Sequence, residues 1–361
     1  MIRDTVIAPA TRVLAALLVI LVTAGCRPEP VAPCGLDRTF QSICEIENPE
    51  DLVRLEGTPW VVIAQGRGGV VKAPVSTIHT GTLRLVAPAI TLADLPTGGS
   101  MGDPACDGPP ARARFRGIDA HTLGNGKYLF AGINGTEVQR VEFFEVTADA
   151  DHVAMTWADC IEVPRSYFLN DIAIGHDGAI YATHMFTRPE GLRRYVMQMH
   201  FLLGDLTGFA VAWRPNQGWT RIRNSSGSFP NGIVTDRAGT AIYMTSTYGS
   251  IISRIGVTDG VRKDMFLPVR PDNVSWSDRG SLIVAGGNGV RLISTAGCLE
   301  YAKPGCAFPF GVVEIDADLI TRRVVLDHQA LKIPGASSAI LAGNALFLGS
   351  AAADRVTIVT P

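Results

Sequence analysis

A chain of 361 residues, 47% hydrophobic and 18% charged, has ample material for a packed core and too little charge to stay disordered. The formal net charge is −2, and no run of Lys or Arg is long enough to track phosphates. Composition therefore argues against a nucleic-acid partner and against an electrostatic hold on anionic surfaces.

Residues 1–26 differ from the rest. Arg3 and Arg12 flank the start, Val13 to Val22 form an unbroken apolar run, and Thr23-Ala24-Gly25-Cys26 follows. A positive start, a short apolar core and small residues predict an export signal that is too short for a stable membrane span. The Cys after Ala-Gly resembles the lipobox of bacterial lipoproteins, with Thr23 where Leu is commoner. Cys26 is thus expected to carry lipid and to anchor the chain in a bacterial cell envelope, on a periplasmic or outer-membrane face. A Pro-rich tether over 27–43 leads into a folded part expected at 44–361.

The chain has seven cysteines. Setting Cys26 aside leaves an even set suited to an oxidising compartment. Local pairing joins Cys34 with Cys44 and Cys298 with Cys306, leaving Cys106 for Cys160; buried free thiols are the alternative. The lack of any CxxC pair argues against metal ligation by sulfur.

Beyond the tether, short apolar runs alternate with turn residues, which predicts an all-β chain. The runs share a pattern. Asn170-Asp171-Ile172 leads through Gly178 to Ile180-Tyr181, Asn231-Gly232-Ile233 through Gly239 to Ile242-Tyr243, and Asp272-Asn273-Val274 through Gly280 to Leu282-Ile283. Weaker copies begin at Glu50-Asp51-Leu52, Arg116-Gly117-Ile118 and Ser338-Ala339-Ile340. Each copy reads as a hairpin whose glycine supplies a positive φ, and Asn125-Gly126 reads as a turn and nothing more. Hairpins repeated in this way predict a six-bladed β-propeller, with a β-sandwich as the alternative. The segment Leu192 to Trp213 breaks the rhythm and is expected as a short helical cover, walling a pocket, resting on a membrane or capping blade ends.

In a propeller the innermost strand of each blade lines the channel, so residues at one repeat position converge. That brings Glu50, Asn170, Asn231, Asp272 and Asn273 together as an oxygen-rich ring without His or Cys. Carboxylates and amide carbonyls of this kind suit Ca2+, which takes about six to eight oxygens, better than zinc. Taken singly, each residue is as readily a turn, an Asx-turn or a surface acid; their common phase points to a metal.

Leu169-Asn170-Asp171-Ile172, Phe229-Pro230-Asn231-Gly232-Ile233, Asp272-Asn273-Val274-Ser275 and Pro49-Glu50-Asp51-Leu52 resemble, in order, the calcium-ligand motifs of the paraoxonase/arylesterase family, within the gluconolactonase-like propellers. The resemblance implies a calcium-dependent hydrolase of lactones or aryl esters. In it, Glu50, Asn170, Asn231, Asp272 and Asn273 bind the catalytic calcium and Asp171 helps hold a second one. It also marks departures. Arg116 stands where the family opens its second blade with His, and Asn134 stands where a second His follows. Both are expected at the substrate pocket, and neither can serve as the base. Asp272 and His184 are the candidates to activate water, while His121 is expected to be structural. The family's long-range disulfide to the last strand has no counterpart, because Ala353 to Val359 contains no Cys. Blade closure then rests on strand pairing, with a local partner for Cys44. A non-catalytic, calcium-stabilised propeller that binds a ligand or partner protein is the competing expectation.

Overall fold

The computed structural model describes residues 31, 33–35, 40–65, 75–91, 106–135, 138–188, 193–288, 307, 309–327 and 333–360. The export signal, Cys26, Cys298 and Cys306 lie outside the described residues.

Six antiparallel sheets follow one another along the chain as the blades of a propeller. Blade 1 is β2 (Leu52–Arg54), β3 (Trp60–Ala64), β4 (Val75–His79) and β5 (Arg84–Val86). Blade 2 is β7 (Phe115–Gly124), β8 (Lys127–Asn134), β9 (Arg140–Ala148) and β10 (Val153–Glu162), with β6 (Ala89–Thr91) added in parallel at its outer edge. Blade 3 holds β11 (Leu169–Ile174), β12 (Ile180–His184), β13 (Phe209–Arg214) and β14 (Gly218–Arg221). Blade 4 holds β15 (Pro230–Thr235), β16 (Ala241–Ser246), β17 (Ile251–Gly256) and β18 (Arg262–Phe266). Blade 5 holds β19 (Arg270–Trp276), β20 (Leu282–Gly287), β21 (Phe310–Ile315) and β22 (Arg322–Asp327). In blade 6, β23 (Ser338–Ala342), β24 (Ala345–Gly349) and β25 (Arg355–Val359) take β1 (Gln41–Cys44) as their fourth strand.

The hairpins turn where glycine permits. Gly178, Gly239 and Gly280 sit at φ of +75°, +70° and +76°, and Asn125 and Gly126 at +53° and +72° form the expected tight turn. The apolar core is divided into six clusters, one at each blade boundary: Trp60 with Phe130, Phe143 with Val211, Tyr181 with Ile242, Tyr243 with Val284, Phe310 with Leu348, and Phe347 with Ile63. A blade buries both faces, which is why its middle strands are apolar throughout instead of alternating. The ring closes on strand pairing, with Gln41 opposite Ile358 and Cys44 opposite Arg355. The paired strand begins at Gln41, inside the range expected to be tether, because β25 would otherwise be an open edge. Cys34 is bonded to Cys44 and Cys106 to Cys160, as the local pairing predicts.

The segment Leu192 to Trp213 is only half a cover. The helix α1 spans Arg193–Leu203 and stops at Gly204, whose φ of +72° suits a C-terminal cap. The residues after it return to the sheet as β13, where Trp213 joins the core. The exposed side of this region carries Val196, Met199, Leu203 and Leu206.

Candidate functional site

The inner strands β2, β7, β11, β15, β19 and β23 each touch the next and close a ring around the axis. All run the same way, so their first residues meet at one end of the channel and their hairpin turns at the other.

At the first end the pairing is broken in a repeated manner. The register between inner and second strand jumps between Phe115 and Ile118, Leu169 and Ile172, Pro230 and Ile233, and Pro271 and Val274. The skipped pairs are Arg116-Gly117, Asn170-Asp171, Asn231-Gly232 and Asp272-Asn273, which include most of the expected ligands. A bulge of this kind takes residues out of the ladder and re-aims their side chains. Blade 6 pairs without a break from Ser338 to Ala342 and contributes no carboxylate or amide.

The ring residues are held tightly. Asn170, Asn231 and Asn273 are 5%, 4% and 2% exposed, while Glu50 and Asp272 are half-buried. The Asn170 amide donates to the Asn231 carbonyl oxygen, and the Asn231 amide donates to Thr247 at 3.0 Å. Asn273 donates to the backbone oxygen of Glu50 at 3.1 Å. Neighbouring bulges pack closely enough to need glycine. A Cβ on Gly117 would meet the Asp171 carboxylate at 2.2 Å, and one on Gly232 would meet the Asn273 Cα at 2.7 Å.

One step deeper, carboxylates tie blade to blade. Asp51 accepts the N–H of Ile118 at 2.9 Å, and Asp171 accepts that of Ile233 at 2.7 Å. Burial pushes both acids well above the usual carboxylate range, and neighbouring negative charges add to it: Glu50 acts on Asp51, and Asp51 on Asp171. Asp51 is a site residue that sequence reasoning missed, although Glu50-Asp51 has the same phase as Asn170-Asp171.

Two threonines, also missed, satisfy the bulges. Thr183 accepts the Asp171 N–H at 3.1 Å and donates to the Asn231 carbonyl of the next blade. Thr245 accepts the Gly232 N–H at 2.7 Å and donates to the Asp272 carbonyl at 2.6 Å. Their signal was the shared phase of Ile180-Tyr181-Ala182-Thr183 and Ile242-Tyr243-Met244-Thr245.

The donor set fits a hard divalent cation. The Asn273 carbonyl oxygen Oδ1 is buried and makes no hydrogen bond among the described residues. Like-charged carboxylates crowd the space below it, and a cation would relieve both costs. Among the described residues no three His, Cys, Asp or Glu side chains form a metal-holding group by themselves, so the fit depends on amide oxygens joining the acids.

Two expected site residues are placed elsewhere. His184 is 2% exposed; its Nδ1 accepts the Phe168 N–H at 2.9 Å, and its ring lies against Tyr167 and Phe209. Burial lowers its pKa to about 4, so at neutral pH it is an uncharged member of the core, and its enclosure and engaged Nδ1 keep it from reaching water at the ring. Asn134 is 1% exposed, and its amide spans the Arg114 N–H, the Arg112 carbonyl and Glu142 at 3.1, 3.1 and 3.2 Å. It clamps the strand end behind the mouth and offers nothing to a pocket. Arg116 lies in the bulge at the start of β7, 4.8 Å from the Phe168 ring centre.

A cavity of about 500 Å3 fills the opposite half of the channel, reaching from Asp51 and Asp171 to the hairpin turns. Its lining includes Asp119, His121, His176 and Trp276. His121 stacks edge-on with His176 at 4.7 Å, so it faces the cavity instead of the strand interior. Asp119 repeats the blade tie one turn of the pleat further down, accepting the Ile174 N–H at 2.7 Å, and burial raises it to about 6.

No family model matches the sequence, and no curated protein matches it. Solved structures do. A luciferin-regenerating enzyme is 13% identical, with 88% of this chain and 93% of that chain covered at a TM-score of 0.51. A gluconolactonase from Xanthomonas campestris is 16% identical, with 93% and 96% covered at 0.49. Regucalcin, a calcium-binding protein from Agrobacterium tumefaciens, is 12% identical, with 91% and 94% covered at 0.44. At these identities the likeness is one of fold alone, and the fold is a six-bladed propeller. None of these likenesses is to a paraoxonase; that resemblance is one of sequence motifs.

Proposed function

We propose that the protein is a calcium-dependent hydrolase of lactones or aryl esters, anchored to a bacterial cell envelope through lipid on Cys26. The observation that carries this reading is the run of three bulges that takes Asn170, Asn231, Asp272 and Asn273 out of the ladder at the end of the channel where Glu50 precedes β2. Regular β-pairing would leave those amides in the ladder, and nothing in blade packing requires oxygens at that point.

The residues divide the work by chemistry. Glu50, Asn170, Asn231, Asp272 and Asn273 would hold the catalytic calcium, and Asp171 with Asp51 would hold a second ion deeper in the channel. Bound there, calcium would supply Lewis-acid polarisation of an ester carbonyl toward attack by water and would offset the negative charge that develops on it. Asp272 is the half-buried carboxylate at the mouth with the chemistry to take a proton from that water. His184, enclosed and with Nδ1 accepting the Phe168 N–H, supports the strand that carries Asn170 and is out of reach of water at the ring. Thr183 and Thr245 fix the bulges so that the amides keep their aim.

Phenyl acetate and a small lactone panel, assayed with and without chelator, test the reading. Turnover that chelator abolishes and calcium restores is expected; turnover indifferent to chelator overturns it. A second reading is favoured by the burial of His184, which leaves no histidine base at the ring among the described residues: a calcium-stabilised propeller that binds without catalysis. Bound calcium with no turnover on any panel member would select it.

A further inference from the structure

Between blade 3 and blade 4 runs an unbroken arc of aromatic side chains. Phe168 meets Phe186 at 5.2 Å, Phe186 meets Phe201 and Phe229 at 5.2 and 5.6 Å, and both of these meet Tyr248, at 5.2 and 5.5 Å. All five are half-buried, so the arc is a wall and not a core. Phe168 and Phe229 each precede a ring asparagine by two residues, which sets the wall beside Asn170 and Asn231. Phe229 sits at φ +55°, a conformation that a bulky side chain adopts at a cost, and its N–H is held by Thr207 at 2.9 Å.

Guanidinium groups close both ends. Arg116 and Arg188 lie against the single ring of Phe168, at 4.8 and 4.0 Å, and Arg270 lies 5.3 Å from Tyr248. Among the described residues, no carboxylate forms an ion pair with Arg114, Arg188 or Arg270. Arg188 is depressed from its ordinary value by burial and then by the charge of Arg114. Cations gathered this closely repel one another, and an anion brought among them turns that repulsion into binding.

We infer that the substrates taken at the ring carry an anionic group, gripped by Arg116 and Arg188, together with an aryl or long apolar arm laid along Phe186, Phe201, Phe229 and Tyr248. The inference rests on the hydrolase reading and names the substrate class of that same mouth. It also gives Arg116 a role: the position that elsewhere in the ring supplies an oxygen donor here supplies a charge for substrate.

Calorimetric binding of 3-phenylpropionate and its uncharged amide, 3-phenylpropionamide, to the calcium-loaded full chain tests it. The acid is expected to bind at least about tenfold more tightly than the amide, a preference that shrinks as salt is raised. Arg188→Met, and more fully Arg116→Met with Arg188→Met, should bring the two ligands to near parity, while Arg188→Lys should keep part of the preference. Unchanged melting of the variants separates lost binding from lost folding. Equal binding of acid and amide to the wild type, no binding of the acid, or a preference that survives the double substitution would each overturn the inference. In the last case the carboxylate is held by the cation itself. Phenyl acetate, which is uncharged, reports on hydrolysis separately. Its turnover can fail while the acid still prefers the arginines, and it can persist when that preference is absent.

Discussion

The two ends of the channel are made by the same six strands and have little else in common. Where the strands begin, pairing is interrupted, side chains of the bulged residues meet near the axis, and the space is filled with amides and carboxylates bonded across blades. Where they end, the register shifts in one hairpin, between Thr122 and Gly124, instead of in four, and a cavity of about 500 Å3 remains. The open end carries the more familiar catalytic residues, His121 and His176, yet it lacks a repeated constraint. The lesson is that a site is marked by ordered departure from a fold's regularity more than by the size of a cavity.

The contrast is exposed to several direct tests. The largest effect is expected from Asp272→Asn, which should lower ester turnover by about a hundredfold or more while the fold persists. The matching change at the open end, His176→Ala, should leave turnover within about twofold. Reversal of that order, measured as kcat on phenyl acetate, would move the chemistry to the open end.

Next come the opposite pH responses. His184 titrates near 4 when folded and near its ordinary 6.5 when unfolded. The unfolded chain therefore binds more protons between those values. Its contribution to stability is complete above about pH 6.5 and is lost as pH falls toward 4, to the extent of about 2–3 kcal/mol. Asp119, raised to about 6, works the other way, because there the folded state binds the extra proton. Its effect weakens the fold as pH rises from about 4 to 6. In denaturant melts across this range, the stability difference between the wild type and His184→Gln should grow in favour of the wild type as pH rises from about 4 to 6.5, whatever the net slope set by Asp119, Asp51 and Asp171. A turnover profile whose acid limb disappears with His184→Gln would instead restore this histidine as a base.

A smaller change is expected from the threonines. Thr245→Val keeps the shape but leaves the Gly232 N–H and the Asp272 carbonyl without their partner, at a cost of about 1–3 kcal/mol in denaturant unfolding. The same substitution should loosen the ring and weaken calcium binding. A stability loss with calcium affinity intact would show that the relay serves the fold alone.

Much of this was legible in the sequence, because the blade repeat is local. Gly178, Gly239 and Gly280 mark turns that only glycine makes easily, and the residues before them keep phase across the chain. Cys34 and Cys44, and Cys106 and Cys160, could be paired from spacing and count. The bulges could not be read, since register belongs to the pairing of two strands, and Asn170-Asp171 looks the same in or out of a ladder. His184 shows the same limit from the other side. It follows a strand as a pocket residue would, but its pairing with Leu169 turns the ring between Tyr167 and Phe209. Asn134 is likewise next to the mouth in sequence and behind it in space. The aromatic arc joins residues 168, 186, 201, 229 and 248, and only the closed ring of blades brings them together.

The central claim is that the bulged ring holds calcium, and it is tested most directly by titrating calcium into chelator-stripped full-length protein while following heat and melting temperature. The account predicts saturable binding that raises the melting temperature, weakened at least about tenfold by Glu50→Gln, which removes a charge without removing bulk. Absence of binding, or binding and stabilisation indifferent to Glu50→Gln, would contradict it.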